Sequence, residues 1–192
     1  MNLYIILLHY PVYNKNKEIV ATSIVTHDIH DISRASKTFG VKTFYVVQPL
    51  ENERKMVERI LQFWSTKGKD YNPNRLEAVS VLSLKESLKD VIDEISASEK
   101  TKPVLIGTSA QDQGKNQITF KETAELLSHQ KPVAIVFGTG WGIAPEAKAQ
   151  LEFFLPPING LGEFNHLSVR SAASIVLDRI ISAYKDLMLL HP

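Results

Sequence analysis

The chain is expected to fold as a mostly parallel α/β sheet flanked by helices, and three features of its sequence point that way. Short apolar runs rich in β-branched and aromatic residues alternate with helical patterns along the chain. The runs are almost continuously apolar, as strands covered on both faces are. The 192 residues, 44% hydrophobic and 22% charged, have the size and composition of one domain with a substantial core, spanning residues 1–192.

The strands expected on this basis are Leu3 to Leu8, Thr43 to Val47, Ala78 to Leu82, Val104 to Ile106, Val133 to Phe137 and Glu152 to Leu155. The helices between them run from Asp28 to Phe39, Asn52 to Ser65, Leu84 to Ser96, Thr119 to His129, Pro145 to Ala149 and Ser168 to Leu189. In the first helix Thr26 stands where a cap belongs, Asp28 suits the positive end of the dipole, and Gly40 stops the pattern. Helical spacing gathers Ile29, Ile32, Ala35 and Phe39 on one face. His27, Asp31 and Arg34 then fall on the opposite face, with His30 beside them, and a local Asp31–Arg34 ion pair is expected. The last helix carries Ala172, Ile175, Val176, Ile180, Ile181, Tyr184, Leu187 and Met188 around much of its circumference, more than one covered face requires. A second copy of the chain is the expected cover for the surplus.

Two segments break the regular pattern. Lys67 to Arg75 has the Gly, Asn and Pro of turns and reads as a polar surface loop. Its Lys67, Lys69, Tyr71 and Arg75 can hold phosphate and stack a base, although a solvated loop is the plainer reading. Tyr10 to Lys17 has the same character and follows the first strand, where α/β proteins place function.

The net charge of +1 gives no global pull toward polyanions, so an RNA contact would come from local Lys and Arg clusters. With no cysteine, thiol catalysis, disulfides and Cys-ligated zinc are excluded, and a reducing cytoplasm is the expected compartment. Met1 to His9 is apolar but short, and no later stretch reaches membrane-spanning length. A soluble chain without signal peptide or membrane contact is expected. His27, His30 and Asp31 are ligand types without a further ligand in the pattern, and no metal site is assigned.

The chemistry concentrates late in the chain. Val136 and Phe137 run into Gly138-Thr139-Gly140-Trp141-Gly142, and a second glycine loop, Leu155 to Ser168, follows closely. Glycines at alternating positions let main-chain amides approach a ligand without Cβ interference. A dinucleotide fingerprint would open the first βα unit and space its glycines differently, and a phosphate loop would need Gly-Lys-Ser/Thr, which is absent. Pro156-Pro157 stiffens the second loop, and the two loops are expected to face each other across one cleft.

Three segments resemble, in order, the signature motifs of the SPOUT superfamily of S-adenosylmethionine-dependent RNA methyltransferases. Asp28 to Val41, with Arg34-Ala35-Ser36 and Phe39-Gly40-Val41, resembles the first motif of its SpoU branch. Phe137 to Gly142 resembles the second, and Leu155 to Val169 the third, keeping Pro156, Gly160-Leu161, Glu163 and Ser168-Val169. The chain is most similar to small proteins grouped with the tRNA guanine-N1 methyltransferases that lack an added RNA-binding domain. The resemblance implies a deep C-terminal trefoil knot, an exception to unknotted connections. It also implies a homodimer through the knot and the last helix.

The resemblance further implies S-adenosylmethionine held by Thr108, Gly138, Thr139, Gly140, Trp141, Gly142, Leu155, Pro156, Gly160, Leu161, Asn165, Leu167 and Ser168. Arg34 matches the motif-one arginine and is expected to orient phosphate or acceptor, since a guanidinium is a poor base. The family's third-motif Asn falls on His166, with Asn165 one place earlier, and Arg170 replaces a small residue. His166 is the natural proton acceptor, because imidazole exchanges protons near neutral pH, and Glu163 is placed to orient it or share the task. The function implied is methylation of tRNA or rRNA at a base nitrogen or ribose 2′-oxygen. Two other readings stay open: a cofactor- or RNA-binding module without its own catalysis, and an α/β enzyme of another nucleotide.

Overall fold

The computed structural model describes residues 1–114, 116–162 and 164–190. Strand β1 (Leu3–Leu8) is followed by a small ribbon of β2 (Val12–Tyr13) and β3 (Ile19–Val20), then α1 (Thr26–Thr38) and β4 (Thr43–Val47). Helices α2 (Glu51–Ser65) and α3 (Pro73–Val79) lead to β5 (Leu82–Lys85), α4 (Leu88–Glu99) and β6 (Val104–Gly107). The chain continues through α5 (Phe120–Ser128), β7 (Val133–Gly138), α6 (Pro145–Lys148), β8 (Phe153–Phe154) and α7 (Val169–Leu190).

Six strands form one sheet in the order β5-β4-β1-β7-β6-β8, and every pairing in it is parallel. All six residues of β1 are buried, which explains its unbroken apolar run. Alternation divides them between two cores. Leu3, Ile5 and Leu7 face a layer that includes Ile29, Ile32, Val57, Leu127 and Leu177. Tyr4, Ile6 and Leu8 face Val91, Ile95 and Ala147 on the other side. Strand order reverses at β1 and β7, which places the topological switch point, where open sheets of this kind bind ligands, beyond the carboxyl ends of these two strands.

The expected fold class is present, with local corrections. The run from Ala78 to Leu82, expected as one strand, is divided, with Ala78 and Val79 ending α3 and Leu82 opening β5. Asn72 starts α3 by accepting the Arg75 amide at 3.1 Å, with Pro73 in the first turn, so the expected Lys67–Arg75 loop turns helical at Pro73. The next helix begins at Leu88, later than expected, because Ser87 and Asp90 form a capping box there. Tyr10 to Lys17 is not only loop, since Val12 and Tyr13 pair with Ile19 and Val20. Thr26 is the first residue of α1 and not its cap: Val25 occupies that position and offers no side-chain bond. Gly40 does end the helix, in the left-handed region at φ +72°. Among the described residues no helix is long and apolar enough to cross a membrane.

Candidate active site

Because β6, β7 and β8 are parallel, their carboxyl ends deliver Thr108, the turn after Gly138 and the loop after Phe154 to the same edge of the sheet. The turn after β7 is stitched to β2. The Trp141 amide donates to the Tyr13 carbonyl at 2.8 Å, and the Tyr13 amide donates to the Gly142 carbonyl at 2.9 Å. Thr139 closes the turn on β1, its amide and its hydroxyl both donating to the Leu8 carbonyl, at 3.2 and 3.1 Å.

The three glycines of this turn differ in role. A Cβ on Gly138 would stand 2.6 Å from the Ile143 side chain, and one on Gly140 would stand 2.7 Å from the Tyr13 carbonyl oxygen. Both glycines therefore serve close packing inside the chain. At Gly142, with φ +107°, a Cβ would meet nothing within 4 Å, so this glycine borders open space.

Thr108 is partly committed to the fold, its amide and hydroxyl both donating to the Val136 carbonyl, at 3.0 and 3.1 Å. Leu155 is buried and its amide donates to the Gly107 carbonyl at 3.0 Å. From there the loop emerges: Pro156 is half-buried, Gly160 is exposed, and Leu161 is fully exposed. Asn165 ties it back, donating to the Ala110 carbonyl at 2.8 Å. Leu167 is exposed, and Ser168 begins α7 by accepting the Ser171 amide at 3.3 Å. Trp141 projects outward at 72% exposure. Among the described residues the amides of Gly140, Gly160, Leu161 and Gly162 make no hydrogen bond within the chain. Exposed main-chain donors beside apolar side chains suit a nucleoside whose ring edges and polar tail need partners.

The residues expected on the acceptor side are distributed differently. His166 is exposed, its ring 5.4 Å from that of Phe164 in an edge arrangement. Glu163 lies outside the described residues. Arg34 is exposed on α1 and borders a shallow depression of about 290 Å³ with Asp31, Ala35, Thr38, Phe39 and Ser174. Its neighbours there lie on α1, at its C-terminal cap and on α7, not in either glycine loop. The expected Asp31–Arg34 pair is not formed. Asp31 faces Arg170 at 3.6 Å instead, and the same guanidinium donates to the buried Asp28 at 3.0 Å.

Sequence reasoning missed His9, the residue that follows β1. It is 1% exposed, its Nδ1 lies 3.0 Å from the Thr22 hydroxyl, and that hydroxyl lies 2.5 Å from the Thr139 hydroxyl. The histidine thus supports the glycine turn from beneath. Burial pushes its pKa down to about 4, against the opposing pull of Asp28 and Glu53. The only signal in the sequence is a histidine ending an otherwise apolar strand.

A protein family described as "SAM-dependent RNA methyltransferase" matches residues 2–182, nearly the whole chain. The chain belongs to this family. S-adenosylmethionine is accordingly the cofactor, and the open glycine and unpaired amides fit it. An uncharacterized protein of Aquifex aeolicus (strain VF5) is 38% identical over 183 residues, which cover 94% of this chain and 89% of that protein. A protein named tRNA (guanine-N(1)-)-methyltransferase from Nitratidesulfovibrio vulgaris is also 38% identical, over 94% of this chain, which spans only 42% of that protein's length. Among solved structures, a probable methylase family protein from Haemophilus influenzae Rd KW20 is similar with a TM-score of 0.64 at 19% identity, covering 96% of this chain and 67% of that one. The SpoU methyltransferase AviRb from Streptomyces viridochromogenes, solved with AdoMet, gives 0.59 at 14% identity, covering 93% of this chain and 56% of that one. At such identities the structural likenesses establish the fold.

Proposed function

We propose that this family member methylates a nucleotide of tRNA, using the cleft at the carboxyl ends of β6, β7 and β8 for S-adenosylmethionine. The observation that carries the reading is the turn at Gly138 to Gly142, sutured to Tyr13 on one side and open at Gly142 on the other, in a chain matched to the family across residues 2–182. tRNA is favoured over rRNA by the name of the Nitratidesulfovibrio relative.

The cofactor supplies an electrophilic methyl group on a sulfonium. The chain's own residues do the rest. Gly142, Leu155, Gly160 and Leu161 border the cofactor, while Gly138, Thr139, Gly140, Trp141 and Thr108 hold the cleft walls in place. Asn165 and Ser168 fix the two ends of the third-motif segment around the exposed Leu167. Arg34 binds the phosphate or orients the acceptor nucleotide. A ring nitrogen of His166 accepts the proton that a ribose hydroxyl or a guanine N1 must lose, and Glu163 assists it.

We further place these residues in one domain, 1–192, acting in the cytoplasm as a knotted homodimer. The knot reading is supported by β8, which pairs outside β6, while the chain then returns to pack α7 on α1 and α5. Asn165 meets Ala110 along that return path. The dimer reading is supported by α7, which exposes Met188 and Leu189 although Val176, Leu177 and Ile180 are buried. Ser174 of α7 borders the Arg34 depression, so a copy packed on that helix would stand beside Arg34.

The test is transfer of labelled methyl from S-adenosylmethionine to unfractionated tRNA. Arg34→Ala is expected to lower transfer by about a hundredfold while calorimetric cofactor affinity stays within about twofold. An equally active variant removes Arg34 from the site.

A further inference from the structure

The turn between α2 and α3 was open to two readings, a solvated loop or a nucleic-acid contact, and its anchoring separates them. Trp64 is 8% exposed, and Arg75 lies over its ring at 4.9 Å from the centroid. His30 of α1 meets the same indole edge-on at 6.0 Å. Gly68 rests so close on the ring that a Cβ there would lie 2.5 Å from a ring carbon. The Gly68 amide donates to the Phe63 carbonyl at 2.8 Å, and the Asn72 amide donates to the Gly68 carbonyl at 2.9 Å. The backbone is thereby held, while Lys67 and Lys69 stand exposed and Tyr71 is 87% exposed.

Charge on this face is uneven. Glu77 is occupied by Lys37 at 3.4 Å, and Asp31 faces Arg170. Among the described residues Arg34, Lys67, Lys69 and Arg75 have no carboxylate within 4.0 Å, and Asp70 is the acid in the turn. His30 and Arg34 are one helical turn apart on α1, so the strip runs from the turn to the acceptor-orienting arginine. Burial, and after it the neighbouring Arg75, lower the His30 pKa against the opposing pull of Asp31.

We infer that the α2–α3 turn is a docking strip for the RNA backbone flanking the modified nucleotide, with Lys67 and Lys69 pairing phosphates and Tyr71 stacking an unpaired base. The inference rests on the RNA methyltransferase reading and adds the surface on which substrate lies. A fixed turn loses little freedom on binding, and an exposed aromatic among cations offers both interactions that single-stranded RNA uses. An exposed tyrosine on an anchored turn has no packing role to explain it.

The experiment measures binding of unfractionated tRNA to the full chain at several salt concentrations, beside calorimetric titration with S-adenosylmethionine. The double variant Lys67→Ala/Lys69→Ala is expected to lower the slope of log affinity against log salt by about 1.4, the counterion release of two phosphate contacts. Tyr71→Ala is expected to weaken binding by about fivefold or more, and Tyr71→Phe, which still stacks, to bind like the parent. Cofactor affinity stays unchanged in all three. Unchanged tRNA affinity and slope in the double variant overturn the strip. A parent chain that binds the cofactor but no tRNA overturns it too, leaving cofactor binding intact. A parent that binds neither overturns the methyltransferase reading first.

Discussion

Gly140 carries the heaviest constraint at the site, combining a left-handed φ of +60° with a backbone carbonyl oxygen only 2.7 Å from where a Cβ would stand. Gly140→Val is therefore expected to displace β2 from the turn and weaken S-adenosylmethionine binding by about tenfold or more in calorimetry; unchanged affinity would separate the turn from the cofactor. His9 makes a different prediction. Its folded pKa of about 4 lies below the unfolded imidazole value, so the unfolded chain binds the extra proton first, and stability present above the unfolded pKa is lost as pH falls toward 4. Between pH 7 and 5 that loss is about 2 kcal/mol by proton linkage. In urea titrations His9→Asn should lose less stability over that interval than the parent, and an equal loss would show that His9 does not report on acid unfolding. The glycine pattern was legible because glycine is chosen for what its missing Cβ allows. Which glycines are held by close packing and which borders open space was not, since Tyr13 meets Gly140 from a remote part of the chain.

Elements followed their local signals where capping chemistry was strong. Thr119 and Glu122 form a reciprocal box that opens α5 where expected. Thr119→Ala should cost about 1 kcal/mol in urea denaturation, and an unchanged midpoint would mean the helix is held by packing on α7 alone. The division of the run from Ala78 to Leu82 was not legible, because five apolar-rich residues fit the end of a helix as well as a strand. Local spacing also favoured Asp31 with Arg34, whereas Arg170, distant in sequence, took Asp28 and Asp31 together. A buried carboxylate gains more from a guanidinium aimed into it than an exposed neighbour does. Arg170→Ala should accordingly destabilise the chain by about 1–2 kcal/mol in the same assay, and a neutral effect would place Asp28 in contact with water.

At the scale of the whole molecule, parallel strands fix what the site can be. Six of them bring every β-to-α connection to one edge, and the strand order reverses where His9 and Thr139 meet through Thr22. The fold class could be read from buried runs, and the arrival of both glycine loops at the carboxyl edge of the sheet follows from the parallel strands they leave. The separation of the Arg34 depression from those loops could not, because it depends on how α1 and α7 pack. The proposed site joins the glycine turn and the loop after β8 into one pocket specific for S-adenosylmethionine. Calorimetric titration with S-adenosylmethionine and S-adenosylhomocysteine, beside ATP and NAD, decides whether it does. Binding of the two methionine derivatives alone, weakened in Gly140→Val, is the predicted result; no binding, or equal binding of ATP, would contradict it.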